Sequence, residues 1–191
     1  MRDPEEFEFS GLRDRKFFHP FLIPNAKFSI PYAARTPYTK HLGNREPIAS
    51  MRETSERIRS LTSGWSPQQL ERTYAPGKWT ARQILTHLAE TDMALGTRVR
   101  MALSNPGYVA QPFDQDAWIA KETRTSGVEA VAAYFSLRQM NLALFTSLSA
   151  ADRQTPFTHP EYGAISVDWV IHQMAGHDRN HLAQLEIIAN V

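Results

Sequence analysis

From residue 47 almost to the end of the chain, apolar side chains recur every three or four positions in four long segments. This spacing places them on one face of a helix, opposite a polar face. Strand-like alternation is nearly absent. The pattern predicts an all-α fold, a four-helix bundle in which the apolar stripes pack together. The predicted helices run from Pro47 to about Gly64, from Thr80 to about Leu103, from Ser126 past Phe145, and from Ser166 almost to the last residue.

Capping signals mark where the predicted helices begin. Thr80-x-x-Gln83 and Ser126-x-x-Glu129 are capping boxes, in which each side chain accepts a hydrogen bond from the other residue's backbone N–H. Pro47 suits the first turn of a helix, because its missing N–H is not needed there. Turn and capping residues also predict short helices at 66–69 and 114–121 and a turn at 159–163.

The first 45 residues differ in composition from the rest. Six of the twelve prolines lie between Pro4 and Pro47, and six of the ten phenylalanines lie between Phe7 and Phe28. Proline at this density disfavours helices and inner strands, whereas phenylalanine at this density disfavours simple disorder. We therefore predict an extended N-terminal arm, residues 1–45, lying on the bundle domain, residues 46–191, or on the second subunit of a homodimer. A partly ordered tail is the alternative.

Composition excludes several classes of function. The chain has 191 residues, enough for one domain with its own core, and a formal net charge of +1, which disfavours a nucleic-acid partner. It contains no cysteine, so disulfides, thiolate ligands and a protein thiol nucleophile are excluded. The acidic start and the prolines within the apolar stretch at 17–24 predict neither an export signal nor a membrane span. A cytoplasmic location is the resulting expectation.

Three histidines are expected on the inward faces of two helices. His177 and His181 are four residues apart, so they differ by about 40° around the helix axis and about 6 Å along it. Two imidazoles at this spacing can reach one metal ion, and His87 on the second helix can supply a third ligand. Three protein ligands with open positions are typical of a catalytic metal site. The alternative is that these are ordinary part-buried histidines hydrogen-bonded to their neighbours.

Other polar side chains are candidates for the same site. Glu90 follows His87 by three residues and Gln184 follows His181 by three, so each lies on its histidine's side of the helix. Such side chains can orient an imidazole or move a proton from bound water. His159, in the predicted turn, is a candidate for the substrate pocket. We assign these three as candidate catalytic residues.

Two neighbours of the histidine pair are expected to lie outside the site. His172 is five residues before His177, which places it about 140° away around the helix. Asp178 directly follows His177 and points about 100° away from it. We therefore expect His172 not to be a ligand and Asp178 to have a structural role.

Five short stretches between residues 46 and 190 occur in a distinctive order: Pro76-Gly77-Lys78-Trp79-Thr80, His87-Leu88-Ala89-Glu90, Phe113-Asp114-x-Asp116-x-Trp118, His159-Pro160-Glu161-Tyr162-Gly163, and residues 176–184, GHDRNHLAQ. With these stretches the sequence resembles the DinB-like metal-binding family, in its metal-dependent hydrolase branch. The resemblance implies a four-helix bundle holding a nickel or zinc ion, with His87, His177 and His181 as the ligands and no organic cofactor. Relatives with assigned activity mostly join low-molecular-weight thiols to electrophiles or isomerise thiol adducts.

Two classes of function remain open from the sequence. The first is a metal-dependent enzyme, a hydrolase or a low-molecular-weight-thiol S-transferase acting on a small electrophilic substrate, in which a divalent ion acts as a Lewis acid. The second is a non-catalytic, metal-stabilised module that binds a small molecule. Neither predicts a nucleic-acid or membrane partner. Removal of the metal distinguishes them, because a structural ion contributes directly to the free energy of folding.

Overall fold

The computed structural model describes residues 36–190 and confirms the four-helix bundle. In chain order the elements are α1 (Thr39–Leu42), α2 (Pro47–Thr62), α3 (Pro67–Leu70), α4 (Ala81–Ser104), α5 (Gln115–Ile119), α6 (Gly127–Ser147), α7 (Ala150–Arg153), β1 (Pro156–His159), β2 (Gly163–Ser166) and α8 (Val167–Ala189). The long helices are α2, α4, α6 and α8, and shorter elements connect them. The short helices predicted at 66–69 and 114–121 correspond to α3 and α5.

The predicted capping boxes decide where α4 and α6 begin. The Thr80 hydroxyl accepts from the Gln83 N–H at 3.2 Å, and Gln83 Oε1 accepts from the Thr80 N–H at 2.9 Å. Ser126 and Glu129 make the same pair of bonds at the start of α6. A side-chain cap stabilises a helix by about 1 kcal/mol, so these short motifs set the start of each helix.

The core lies between α4 and its neighbours. Helix α4 packs against both α6 and α8, and α2 packs against α8. Leu88 of α4, Tyr134 of α6 and Leu185 of α8 are fully buried in one apolar cluster, and Met51 and Met174 belong to a second. Burying an aliphatic side chain of this size contributes about 1.5–3 kcal/mol. The packing of α4 on α8 brings the two histidine-bearing stripes together.

A buried ion network ties α4, α6 and α8 together. Arg138 of α6 donates to Asp92 of α4 through Nε at 3.0 Å and Nη2 at 2.8 Å, and to Asp178 of α8 through Nη2 at 2.9 Å. Asn141 donates to Asp92 Oδ1 at 2.8 Å, and its amide lies so close to Gly96 that a Cβ there would clash. Asp178 therefore has the structural role that its position on the helix predicts.

A short β-hairpin differs from the expectation that strands are nearly absent. Strands β1 and β2 pair antiparallel, from Pro156 with Ser166 to His159 with Gly163. Gly163 has a φ of 69°, a left-handed conformation that glycine adopts at little cost. In a four-residue strand with only Phe157 and His159 buried, alternation is too brief to recognise in the sequence. His159 lies at the turn end of the hairpin, opposite Gly163, and its ring packs on Tyr162, which in turn packs on Trp169 of α8.

Residues 36–45, the last part of the predicted arm, contact the bundle. Helix α1 packs against α8, and Leu42 is buried. The rest of the predicted arm, residues 1–35, lies outside the described residues, and the domain boundary at residue 45 stays a prediction. Within residues 36–190, no helix combines the length and the apolar character needed to cross a membrane.

Candidate metal centre

Three histidine side chains converge between α4 and α8. The Nε2 atom of His177 is 2.9 Å from Nε2 of His87 and 3.1 Å from Nε2 of His181. Each side chain is at most 5% exposed. The three residues form a group whose ligand atoms all lie within 4.8 Å of one another. The histidine-bearing faces of α4 and α8, which the sequence predicts to point inward, therefore meet at one point.

The three nitrogens have the spacing and the chemistry for one divalent ion. Two nitrogens bound at right angles about 2.0–2.1 Å from one ion are about 2.9 Å apart, and a wider angle lengthens that separation. A hydrogen bond between two imidazoles uses one N–H and one lone pair, so it cannot satisfy three converging nitrogens, whereas a cation can. Imidazole suits zinc, nickel, copper and iron alike, so the donor set does not choose among these metals.

Burial keeps the cluster neutral. It lowers the pKa of His87 to about 3, with a smaller contribution from His181. Burial also lowers the pKa of His181 to about 4, although its bond to Gln184 acts in the opposite direction. The pKa of His177 lies well below its ordinary value, again mainly because of burial. At neutral pH all three imidazoles therefore carry a free lone pair, the form that binds a metal.

Gln184 fixes the tautomer of one histidine. Nδ1 of His181 lies 2.8 Å from Gln184 Oε1. Because this oxygen only accepts, the His181 proton is on Nδ1 and the lone pair of Nε2 points into the cluster. The corresponding Nδ1 atoms of His87 and His177 are buried without a hydrogen-bond partner among residues 36–190. The role predicted for Gln184 in orienting His181 thus has a geometric basis.

Aromatic rings hold the imidazoles in place. Trp79 packs against His87 with ring centroids 4.9 Å apart, and Phe113 stacks on the same imidazole with an interplanar angle of 8°. Tyr38, from the segment before α1, meets His177 edge to face at 5.0 Å. These contacts limit rotation of the rings and exclude water from the sides of the cluster.

A cavity of about 230 Å³ opens onto His87 and His177. Two polar atoms of its wall, Thr91 Oγ1 and Gln173 Oε1, are buried without a hydrogen-bond partner in the described part of the chain. Unpaired polar atoms at a cavity wall are suited to bind a polar ligand. The lining residues that the structure describes are Pro37, Tyr38, His87, Thr91, Leu95, Arg98, Phe113, Gln115, His159, Glu161, Tyr162, Trp169, Gln173 and His177.

His159 lies in the cavity wall, as proposed from the sequence. Its Nδ1 accepts from the Glu161 N–H at 3.2 Å, and its ring packs against Tyr162 with centroids 4.8 Å apart. Burial, together with the charge of Arg98, lowers the pKa of His159. The neutral ring therefore carries its proton on Nε2, so that His159 can donate a hydrogen bond to a ligand.

Glu90 and Gln184 are not among the described residues that line the cavity. Glu90 is 5% exposed, and neither carboxyl oxygen has a hydrogen-bond partner within residues 36–190. Burial raises the pKa of Glu90 to about 7, and Glu122 adds a smaller increase. His172 lies outside the histidine group and its Nδ1 donates to the carbonyl of Asp168 at 2.9 Å, in agreement with its expected position.

Sequence reasoning missed Arg98 and Tyr38 in the cavity wall. Arg98 is eleven residues after His87, close to three full helical turns, so helical spacing alone could have placed it on the same face. Tyr38 precedes the bundle and reaches α8 only through tertiary packing. A Cβ on Gly176 would lie 2.5 Å from the Tyr38 carbonyl oxygen, so glycine permits that approach.

The chain is similar in sequence or in fold to several known proteins. A protein of Oceanobacillus iheyensis, named "Putative metal-dependent hydrolase", is 31% identical over 119 residues, which cover 62% of this chain and 69% of that protein. A second protein of that organism and name is 25% identical over 134 residues, covering 70% and 78%. The structure of YfiT from Bacillus subtilis, described as "a probable metal-dependent hydrolase with an unusual four-helix bundle topology", matches with a TM-score of 0.68, 22% identity and coverage of 75% of this chain and 84% of that one.

Fold and site together define a helical-bundle protein with a buried three-histidine centre. The model of the DinB superfamily matches residues 50–185, well over half of the chain. The chain belongs to the DinB superfamily. The matched range begins within α2 and ends within α8, so it contains all three histidines and excludes the predicted N-terminal arm.

Proposed function

We propose that His87, His177 and His181 bind one divalent metal ion and that the protein is a metal-dependent enzyme, either a hydrolase or a low-molecular-weight-thiol S-transferase. The observation that carries the proposal is the convergence of three neutral Nε2 atoms, two of which belong to residues of a cavity wall, His87 and His177. Nickel and zinc are the metals we propose. The relatives named for metal-dependent hydrolysis support the same class of chemistry.

A divalent ion at this position would act as a Lewis acid that lowers the pKa of a bound water or thiol. The chain itself supplies the positioning groups. His159 donates a hydrogen bond from Nε2 to the electrophile, and the Thr91 hydroxyl binds a polar group of the same ligand. Glu90, whose pKa is raised to about 7, lies three residues after His87 but outside the cavity wall, and it would accept the proton released when the nucleophile forms. Because the chain has no cysteine, any thiol comes from the substrate.

A non-catalytic module is the second candidate, because the histidines join α4 to α8 in the middle of the bundle. If the ion is structural, its removal lowers the melting temperature by tens of degrees and ligands do not reach the ion. If it is catalytic, the ion exchanges with a smaller effect on folding, because the ion network around Arg138 already ties the same helices together. Melting curves before and after chelation separate the two.

The test of the metal site is metal content per chain in single His→Ala variants. His87→Ala, His177→Ala and His181→Ala each remove one ligand. We expect each to lower the metal affinity by at least about 10–100-fold, because loss of a residue that only hydrogen-bonds to a ligand already has an effect of that size. His172→Ala is the matched control, because His172 is on α8 but outside the cluster. Equal metal retention in all four variants would reject the site.

The test of the reaction uses the nickel- or zinc-loaded protein. Hydrolysis is measured as release of a chromogenic phenolate from an activated ester in water. Thiol transfer is measured as the absorbance of the aryl thioether that forms, with loss of halide, from an activated aryl halide and a small thiol. Activity that requires the thiol supports the transferase, and ester cleavage without a thiol supports the hydrolase. His159→Phe should lower the rate and leave the metal content unchanged, because His159 contacts the ligand and not the ion.

A further inference from the structure

Arg98 lies on the same face of α4 as His87. The two residues are eleven positions apart, so they differ by only about 20° around the helix axis. Thr91 and Leu95 occupy the two intermediate positions of this face, and all four residues line the cavity. The cavity therefore runs along α4 from the histidine cluster to a guanidinium group.

The guanidinium of Arg98 is buried without a carboxylate partner. Arg98 is 8% exposed, and its one hydrogen bond among the described residues is from Nη2 to the Gln111 carbonyl at 2.6 Å. No Asp or Glu within residues 36–190 forms an ion pair with it. Arg138, the other arginine that is buried among residues 36–190, is paired with two aspartates. A buried charge with no carboxylate within ion-pair distance is costly, so a cavity-facing one is suited to bind an anion.

We propose that Arg98 binds an anionic group, a carboxylate or a phosphate, of the molecule whose reacting end lies at His87, His177 and His181. The inference rests on the proposed function, since it takes the histidine cluster as the reacting end. Arg98 is a specificity-determining residue, and the substrate class is a thiol or an electrophile with an acidic tail. The tail is held by charge-assisted hydrogen bonds from Nε and Nη1, which have no partner among the described residues.

The length of the ligand follows from helix geometry. Eleven residues correspond to about 16 Å along the axis, and long side chains of a helix point back toward its N-terminus, which brings the guanidinium closer to the histidines. The two ends of the ligand are therefore separated by roughly 10 Å. Glu161, an exposed residue of the cavity wall, interacts electrostatically with Arg98 and weakens the attraction for an anion. Substitution of Glu161 is therefore a second way to change the affinity of Arg98 for an anion.

The main experiment compares two thiols of equal length on the nickel-loaded protein by titration calorimetry. We expect 6-mercaptohexanoate to bind at least about tenfold more tightly than 6-mercaptohexanol, because only the carboxylate forms a hydrogen bond with Arg98 in which both partners are charged. Arg98→Met should reduce this ratio to about one, and Arg98→Lys should restore part of it. The shorter 3-mercaptopropionate should show a smaller preference over 3-mercaptopropanol, because it does not span the cavity.

Glu161→Gln tests whether Arg98 binds the anionic group, and it does so without altering a buried residue. We expect it to increase the ratio of the two affinities, because it removes a negative charge near the anionic tail. An unchanged ratio in both Glu161→Gln and Arg98→Met would overturn the proposal. If Arg98→Met does not fold, Glu161→Gln and Arg98→Lys decide the question.

A third arm separates this inference from the proposed function. In metal-free protein, hexanoate at millimolar concentration should raise the melting temperature, hexanol should not, and Arg98→Lys should reduce the effect. If the nickel-loaded protein binds neither thiol but hexanoate still stabilises the metal-free protein through Arg98, the thiol chemistry is wrong and the anion site stands. If both thiols bind the nickel-loaded protein with equal affinity and hexanoate has no effect, the anion site is wrong and the metal site stands.

Discussion

Gly176 of α8 lies directly beneath the backbone of Tyr38. A Cβ at position 176 would lie 2.5 Å from the Tyr38 carbonyl oxygen and 2.9 Å from the Tyr38 Cβ. Tyr38 in turn packs edge to face on His177, the residue that follows Gly176. The glycine thus allows the segment before α1 to cover one side of the histidine cluster.

Gly176→Ala should displace residues 36–42 while the bundle stays folded. Alanine stabilises a helix interior by about 1 kcal/mol relative to glycine, but the clash with a backbone atom costs about 1–3 kcal/mol unless the segment moves away. We expect faster amide hydrogen exchange in residues 38–43 and a nearly unchanged melting temperature. Gly64→Ala is the control, because a Cβ there meets no atom within 4 Å. Unchanged exchange in Gly176→Ala would contradict the packing.

Gln184→Leu should weaken metal binding without removing a ligand. Gln184 accepts from His181 Nδ1 at 2.8 Å, and loss of such a partner lowers metal affinity by about 10–100-fold. The matched control is Gln68→Leu, since Gln68 is exposed on α3. Competition with a chromogenic chelator measures both affinities. Equal affinities in the two variants would show that Gln184 does not tune the site.

Short-range patterns predicted the bundle and most of its centre. The capping boxes at Thr80 and Ser126 fix helix starts through bonds between residues three apart. The two positions on α8, His177 and His181, share a face because of helical spacing alone. Placing His87 opposite them required the packing of α4 on α8, which the apolar stripes and the family resemblance both indicated. These parts of the fold depend on local sequence and on one stripe per helix.

Features that depend on long-range contacts were not predicted from the sequence. The partners of Arg138 are 46 and 40 residues away in the chain, so no local pattern reveals that this charge is buried and paired. The contact between Tyr38 and His177 joins residues 139 positions apart. The hairpin was missed for a different reason, because each strand has only four residues.

Arg138→Met should destabilise the protein far more than loss of a surface ion pair. Removing the arginine leaves Asp92 and Asp178 buried without their partner, and breaking a buried pair in this way costs about 3–5 kcal/mol. Arg57→Met, which removes an exposed pair with Glu186, should cost at most about 1 kcal/mol. Urea unfolding of the two variants measures the free energies. A cost below 1 kcal/mol for Arg138→Met would show that the network contributes little.

The metal-free protein should lose stability as the pH falls below neutrality. Burial lowers the pKa of His87 to about 3 and that of His181 to about 4, whereas an unfolded histidine has a pKa near 6.5. Between these values the unfolded chain binds more protons than the folded chain, so the free energy of unfolding decreases as the pH decreases. The part of the free energy of unfolding that depends on neutral His87 and His181 is fully present above about pH 6.5 and is lost progressively down to about pH 3–4.

Urea unfolding of metal-free protein at pH 7, 6 and 5 checks this dependence. His87→Gln should flatten the slope, because glutamine does not titrate. His172→Gln is the control outside the cluster. An identical slope in wild type and His87→Gln would show that His87 is not held neutral by its surroundings.

Two truncations should separate the roles of the N-terminal segments. Deleting residues 1–35 leaves every described contact in place, so we expect unchanged helical circular dichroism and metal content. Deleting residues 1–45 also removes Tyr38 from His177 and Leu42 from the core, so we expect a folded bundle with weaker metal binding and a more exposed cluster.

If the arm bridges two subunits, both deletions should shift the protein from dimer to monomer in light scattering at low concentration. A truncation at residue 45 that unfolds the helices would show that the bundle requires α1, and would contradict our prediction that residues 46–191 fold without the preceding segment.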